Sequence, residues 1–424
     1  MDAENVPSMG SGRSLIKAML EKFQAMNSLN HDESVCKIFI SGSPGKREDG
    51  EVLIPPVVVM DNQGISEAGS IQEITKLCRG VRELDISYNL ITDISEVMKV
   101  VTEMPRLTFL NMSTNDLGDF SCTDNLPVMP KIRYLALNKT RAPWKHIQKL
   151  LDLMPNLKEL HLSLVGKSTV PVSDTCYPSV EHLSFNSNGV TEWAEICKLG
   201  DMFPNLKTLL VADNPISNFQ PEDRIATSFP RVTSLCVIGT AITEWEDIDR
   251  LRNFPVLVEV QISGVPLVED LEEIEQWQLP IARLPDITTF NKSKITDDER
   301  ETCERAFIRN YTDNDHKPDR YYELEQKHGK LDALADVNLK PKMVATVRLK
   351  YENEQSVARV RLDLTVWDLR RKMAQWVKLP PNKFRLYLVQ SDMSLQGPEE
   401  MKNNQKKLYT YNIRDGHELE IVPK

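Results

Sequence analysis

The chain has 424 residues, enough for two or three domains, and its 41% apolar and 27% charged residues are ordinary globular proportions. A net charge of −10 with a pI near 5.4 argues against a protein that binds nucleic acid over its whole surface. The seven cysteines (Cys36, Cys78, Cys122, Cys176, Cys197, Cys236 and Cys303) are odd in number and scattered, with no C-x-x-C pair and no zinc-ligand spacing, so reduced and mostly buried thiols are expected.

The opening "MDAENVPSMGSGRS" is acidic and polar and lacks the basic and apolar regions of a signal peptide. No apolar run approaches the roughly 18 residues of a membrane span. A soluble, intracellular chain with a polar N-terminal segment over 1–50 is the expectation.

From 51 to 295 the chain counts out a repeat. "FPNLKTLLVADNPI" at 203–216 returns 26 residues later as "FPRVTSLCVIGTAI". Copies of L-x-x-L-x-L-x-x-N-x-L begin at 81, 107, 132, 157, 180, 206, 232 and 257, and Ile54, Val57, Val59 and Asn62 suggest a partial earlier one. Steps of 23 to 26 residues are the leucine-rich-repeat period. L-x-L predicts a short strand with leucines inward, and the Asn (Thr in some copies) suits a turn whose backbone groups its side chain can satisfy. The second half of each copy switches to helical spacing, as in Trp144, Ile147, Leu150, Leu151 and Met154. Similar faces start at Trp193 and Trp245, where the rings read as core filling between layers. Asp93 and Thr191 are candidate helix caps, and Pro105, Pro155, Pro204, Pro230 and Pro255 stop helices before them.

Strands stacked side by side are more closely spaced than the helices behind them, so the array should bend into a horseshoe with the strands on the concave side. Alternation places Phe109, Asn111, Tyr134, Asn138, His161, His182, Leu210, Cys236 and Ile238 outward on that face. Aromatic and aliphatic anchors among small polar groups resemble the core of a protein interface. His161 and His182 lie on neighbouring strands, but no third ligand is in line, so a metal is not expected.

Residues 296–341 read as a cap helix and connector. "DITTFN" predicts a strand, Asp297 and Asp298 suit a helix start, and "RYYELEQKHG" carries local helical signal in a polar connector. From 342 to 424 the order is strand "MVATVRLKY", strand "SVARVRLDL", and a helix capped by Thr365 with Val366, Leu369, Met373 and Trp376 on one face. Strand "KFRLYLV" follows, then an Asp-Gly turn and a last strand. That order resembles ubiquitin, giving an α/β fold class: a leucine-rich-repeat horseshoe solenoid followed by a C-terminal ubiquitin-like β-grasp domain. The chain stops at "EIVPK" without Gly-Gly, so a fixed module is expected rather than a conjugated one. By the same resemblance Tyr387 and Glu420 replace part of an aliphatic surface patch. The module carries 16 Lys+Arg against 10 Asp+Glu, with Arg370, Arg371, Lys372, Lys378, Lys383 and Arg385 as a candidate basic patch.

The strings "DDERETCERAFIRNY", "RYYELEQKHGKLDALADVNLKP", "GPEEMK" and "NIRDGHELEIV", in that domain order, closely resemble the tubulin-specific chaperone cofactor E-like proteins. Cofactor E itself carries an N-terminal CAP-Gly domain. Here "GKREDG" at 45–50 lacks that motif's Asn and the Gly-rich, aromatic surroundings, which points to the E-like branch. The resemblance implies a cytoplasmic, cytoskeleton-associated protein. It would bind α-tubulin or the α/β-tubulin heterodimer, take heterodimers apart and promote tubulin turnover, lowering microtubule polymer. No Walker loop, G-x-S-x-G or metal motif is present, so no enzyme, cofactor, nucleic acid or membrane partner is expected. The alternative is a ubiquitin-pathway adaptor, with the horseshoe choosing substrates and the C-terminal module docking to the proteasome.

Overall fold

Why the L-x-L segments become strands is visible in the computed structural model, which describes residues 12–29, 54–121, 126–331, 343–389 and 397–424. The chain divides into two compact units, 1–333 and 334–424. The first begins with β1 (Arg13–Ser14), α1 (Leu15–Leu29), β2 (Val57–Val59), β3 (Ile65–Glu67), α2 (Ile71–Leu77), β4 (Glu83–Asp85), α3 (Ile94–Thr102), β5 (Phe109–Asn111) and β6 (Tyr134–Ala136). It continues with α4 (Trp144–Leu153), β7 (Glu159–His161), β8 (His182–Ser184), α5 (Trp193–Met202), β9 (Thr208–Leu210), α6 (Asp223–Ser228), β10 (Ser234–Cys236) and α7 (Trp245–Arg250). β11 (Glu259–Gln261), α8 (Pro266–Glu269), α9 (Glu273–Arg283), β12 (Thr289–Phe290), β13 (Ser293–Lys294), α10 (Asp297–Tyr311) and α11 (Asp319–His328) complete it.

Among the described residues eleven strands form one sheet whose spatial order follows the sequence from β2 and β4 through β13, parallel except for the closing β12–β13 hairpin. The middle residue of each repeat strand faces the core in strict register: Val58, Leu84, Leu110, Leu135, Leu160, Leu183, Leu209, Leu235 and Val260. All are buried. The expected solenoid is therefore a single stack with one continuous core.

The turn asparagines tie neighbouring copies together. The Asn214 amide donates to the carbonyls of Phe185 and Val211, both at 2.9 Å, and its oxygen accepts from the N–H groups of Asn188 (2.9 Å) and Val190 (3.2 Å). Thr240 makes a single side-chain bond, to Val237 O at 2.9 Å within its own copy, so threonine shares only part of the work. The residue before the Asn position is left-handed in copy after copy: Tyr88, Thr114, Lys139, Leu164, Ser187, Asp213, then Gly239 and Gly264. Its N–H reaches the carbonyl of the next copy, as from Ser187 to Ala212 O at 2.9 Å, and this bond holds the unfavourable backbone in place.

Four expectations need correction. Residues 1–50 are not polar throughout: β1 pairs with β3, and α1 buries Leu15, Ile16, Ala18, Met19 and Phe23 in the repeat core. The partial early copy is out by one residue. Val58, not Val57, pairs with Leu84, and Val57 and Val59 are exposed, because a one-residue slip in a strand exchanges its faces. Not every copy has a helix. None spans 162–181, where Gly166, Pro171 and Pro178 interrupt β-branched residues, and none lies among the described residues between β5 and β6. Thr191 is not a cap; Glu192 holds that place before α5 with no side-chain bond, whereas Asp93 does cap α3, accepting from Ser95 N at 2.8 Å.

The end of the array is closed by α10, whose Thr296–Glu299 capping box starts it, and by α11, which buries Tyr321 and Leu324 in the same core. Between them sits Glu304, nearly inaccessible, bonded to Arg320 (3.3 Å), Lys327 (2.7 Å) and His328 (2.6 Å). These are residues of the two charged strings that carry the family resemblance, and the two strings meet around this buried carboxylate at the end of the repeat core.

The second unit comprises β14 (Val344–Tyr351), β15 (Glu354–Arg361), α12 (Val366–Val377), β16 (Phe384–Val389), β17 (Glu399–Glu400) and β18 (Glu418–Pro423). Its sheet order is β15-β14-β18-β16-β17, with β14 and β18 parallel and the other pairs antiparallel, the β-grasp arrangement. Thr365 caps α12 through a capping box with Asp368, and Val366, Leu369 and Met373 pack onto Val347, Leu386 and Leu419. Trp376 is half-buried beside Tyr351.

Candidate partner-binding surface

The parallel register arranges the outward residues of the repeat sheet in two columns. The first runs Glu83, Phe109, Tyr134, Glu159, His182, Thr208, Ser234 and Glu259; the second runs Asp85, Asn111, Ala136, His161, Ser184, Leu210, Cys236 and Gln261. Strands about 4.8 Å apart make each column a ladder. Phe109 and Tyr134 are neighbours in the first, with ring centroids 6.3 Å apart, and Tyr134 is 42% exposed. Leu210 and Ile238 are half-exposed toward the other end.

The remaining expected residues divide by what already holds them. Asn111 donates to Asp85 at 2.9 Å and accepts from Ser113 N at 3.0 Å. Asn138 belongs to a lateral ladder, its oxygen accepting from Ser163 N at 2.8 Å. His161 has both ring nitrogens engaged, with Ser184 (3.1 Å) and Glu159 (2.8 Å), while His182 is exposed and contacts Thr208 at 3.0 Å. Among the described residues no cluster of three His, Cys, Asp or Glu could hold a metal. Cys236 is a correction: it is only 6% exposed, crowded by its ladder neighbours Leu210 and Gln261, and burial raises its thiol pKa. It contributes packing rather than an open contact.

Sequence reasoning passed over the residues immediately before each strand. Arg82, Thr108, Arg133, Lys158, Glu181, Lys207 and Thr233 stand one above another, because each N–H bonds to the preceding one's carbonyl, as from Thr108 to Arg82 O at 2.7 Å. Glu181 is paired with both Lys158 and Lys207, and these hydrogen bonds hold its carboxyl at about 2. The signal was present in the sequence as a charged residue recurring one place before the strand.

In the second unit the expected basic patch loses a member. Arg370 is buried; its guanidinium donates to Phe384 O (2.8 Å), Pro381 O (3.4 Å) and Met401 O (3.1 Å), and it lies over the Phe384 ring. A helix position facing the sheet forces the long side chain inward, where its head satisfies loop carbonyls. Arg371, Lys372, Lys378, Lys383 and Arg385 are exposed, although Arg371 pairs with Asp368 at 2.6 Å. Tyr387 faces Glu420 across β16 and β18, and Lys350 pairs with Glu420 at 2.9 Å, so the outer face there is polar and internally paired. The "GKREDG" segment lies outside the described residues.

Residues 346–424 match the ubiquitin-like domain family. Over nearly its whole length the chain is similar to the tubulin-specific chaperone cofactor E-like protein of Rattus norvegicus, at 36% identity covering 98% of this chain and 99% of the relative. The corresponding Homo sapiens protein is also 36% identical over 98% and 99%. The tubulin-specific chaperone E of Homo sapiens is 24% identical, covering 85% of this chain and 74% of its own.

Proposed function

The chain belongs to the tubulin-specific chaperone cofactor E-like family, and from that membership we propose that it binds tubulin and takes α/β-tubulin heterodimers apart, promoting turnover and lowering microtubule polymer in the cytoplasm. The observation that carries the reading is the unbroken, in-register sheet face with Phe109, Tyr134, Leu210 and Ile238 turned out of the core. A lone solenoid has no use for these side chains, and together they have the composition of an interface centre.

The mechanism is binding alone, without covalent chemistry or a cofactor. A protein that prefers one tubulin subunit in a form incompatible with its partner shifts the dimer equilibrium by that difference in affinity. Moving a population from mostly paired to mostly separated takes on the order of 5 kcal/mol of such difference. Two gripping surfaces joined in one chain can supply it through raised effective concentration. The sheet face would hold the folded body of one subunit, and the C-terminal unit, at net +6, would approach an acidic surface.

The test mixes purified protein with tubulin heterodimers in the absence of proteasome and separates them by size. Loss of the heterodimer peak with a new subunit complex is expected. Retention of intact heterodimer, free or bound, would contradict the dissociation step, and a stable ternary complex would favour the adaptor reading.

A further inference from the structure

The column before the strands is not evenly charged. Around the starts of the copies at Val81, Leu107 and Ile132, this column and the residues that follow Pro105 and Pro130 supply Arg82, Arg106, Lys131 and Arg133. The ubiquitin-like unit carries +6, so residues 1–341 carry −16, and four cations close together on so acidic a body are unusual. Arg82, Arg106 and Lys131 are exposed, and their side chains have no hydrogen-bond or ion-pair partner among the described residues. Arg133 is held rigid by the carbonyls of Pro130 (2.7 Å) and Asn156 (3.2 Å).

Cations near helix C-termini gain from the helix dipole. Arg79 shows that use, its Nε donating to Thr75 O at 3.1 Å in the last turn of α2. The same account does not reach Lys131 and Arg133, since no helix lies among the described residues of the copy before them. By contrast, the neighbouring Lys158 and Lys207 share the carboxylate of Glu181. The open cations therefore stop where the internal pairing starts, beside the Phe109–Tyr134 pair, of which Tyr134 is exposed and Phe109 partly so.

We propose that this rim, Arg82, Arg106, Lys131 and Arg133, is a docking site for a short acidic, extended segment of a protein partner, lying across the strands with the aromatic pair as its apolar floor. Rungs about 4.8 Å apart put Arg133 two steps, roughly 10 Å, from Arg82, with Thr108 between them. An extended chain rising about 3.3 Å per residue covers that stretch in about three residues, so two carboxylates on alternate residues fit along it. The proposal goes beyond the tubulin reading and does not depend on which partner supplies the segment. The strongly acidic remainder of the unit favours a peptide, with its localised charge, over a nucleic acid, whose charge would extend onto repulsive surface.

The experiment titrates the full-length protein against a fluorescent peptide of alternating Glu and Gly, about ten residues long, with an alternating Gln and Gly peptide and an oligothymidylate of equal length as comparisons, read by anisotropy. The wild type should bind the Glu peptide, lose it as salt rises, and ignore the Gln peptide. Arg82→Glu/Arg106→Glu/Lys131→Glu should weaken binding at least roughly tenfold. The neutral Arg82→Gln/Arg106→Gln/Lys131→Gln variant, which avoids new repulsion within the fold, should also weaken it, by less. Lys292→Glu/Lys294→Glu, two exposed lysines at the β13 end of the same sheet, should leave it unchanged. The proposal is overturned if the wild type does not bind the Glu peptide, if both rim variants bind it as well as the wild type, if the Lys292/Lys294 variant loses it equally, or if the oligothymidylate binds more tightly. None of these readouts involves tubulin, so failure here and failure of the dimer-separation assay are distinguishable.

Discussion

Asn214 is fully enclosed, and three of its side-chain hydrogen bonds, with Phe185 O and the N–H groups of Asn188 and Val190, join two copies of the repeat. Replacing it with Ala leaves donors and acceptors orphaned on both copies, and at 1–3 kcal/mol for a buried group left unsatisfied the variant should lose about 2–3 kcal/mol in urea unfolding. Thr240→Ala removes one bond within one copy and should lose about 1 kcal/mol. Equal losses would mean that the amide does not bridge copies. Glu181 makes a pH prediction. Its carboxyl is held at about 2, below the ordinary 4.5, by hydrogen bonds from Lys158 and Lys207. A carboxyl depressed in the fold adds stability above its unfolded value, and that stability is lost as pH falls from 4.5 toward 2. Glu181→Gln should therefore be less stable than wild type at pH 7, with the gap closing through that acid window; a gap independent of pH would contradict the pairing.

The N-terminal helix α1 is the element whose removal from the core should be felt most clearly at one side chain. Met19 is fully buried, and Met19→Ala should lose about 2–4 kcal/mol in thermal or urea unfolding, whereas a polar leader would give no change. Leu15, Met19 and Phe23 recur every four residues, a helical stripe legible in "LIKAMLEKF", but the polar flanks on either side outweighed it. The strands were legible because L-x-L alternation and a period of 23 to 26 residues reinforce one another eight times. Helices were less so. Spacing alone did not reveal that 162–181 forms no helix, where Pro171 and Pro178 disfavour one, and in "IPPVVVM" three valines in a row gave two equally good registers. The β-grasp order was readable from its hairpin, capped helix and Asp-Gly turn, whose Gly416 takes the positive φ of 88° that the turn requires.

For the whole molecule, the candidate surface was half legible. Alternation found the outward ladder, since pleating fixes which residues leave the core, and the structure sets Phe109 and Tyr134 side by side on it. It could not find lateral occupation: whether Asn138 is spent on Ser163, whether Cys236 is covered, or whether Arg370 turns inward depends on neighbours a full copy or a strand away. The same limit hid the cationic rim, whose residues are unremarkable singly and become a surface only when stacked. Separation of tubulin by contact energy alone would make a stoichiometric demand, because the subunit that is held must stay bound to keep the pair apart. The direct measurement is a titration of fluorescently paired α/β-tubulin with this protein, without added nucleotide hydrolysis or proteasome, following loss of energy transfer between the subunits. The signal should fall in proportion to protein added and level off at a fixed ratio, whereas complete loss at a small fraction of that ratio, or no loss at any ratio, would contradict the mechanism.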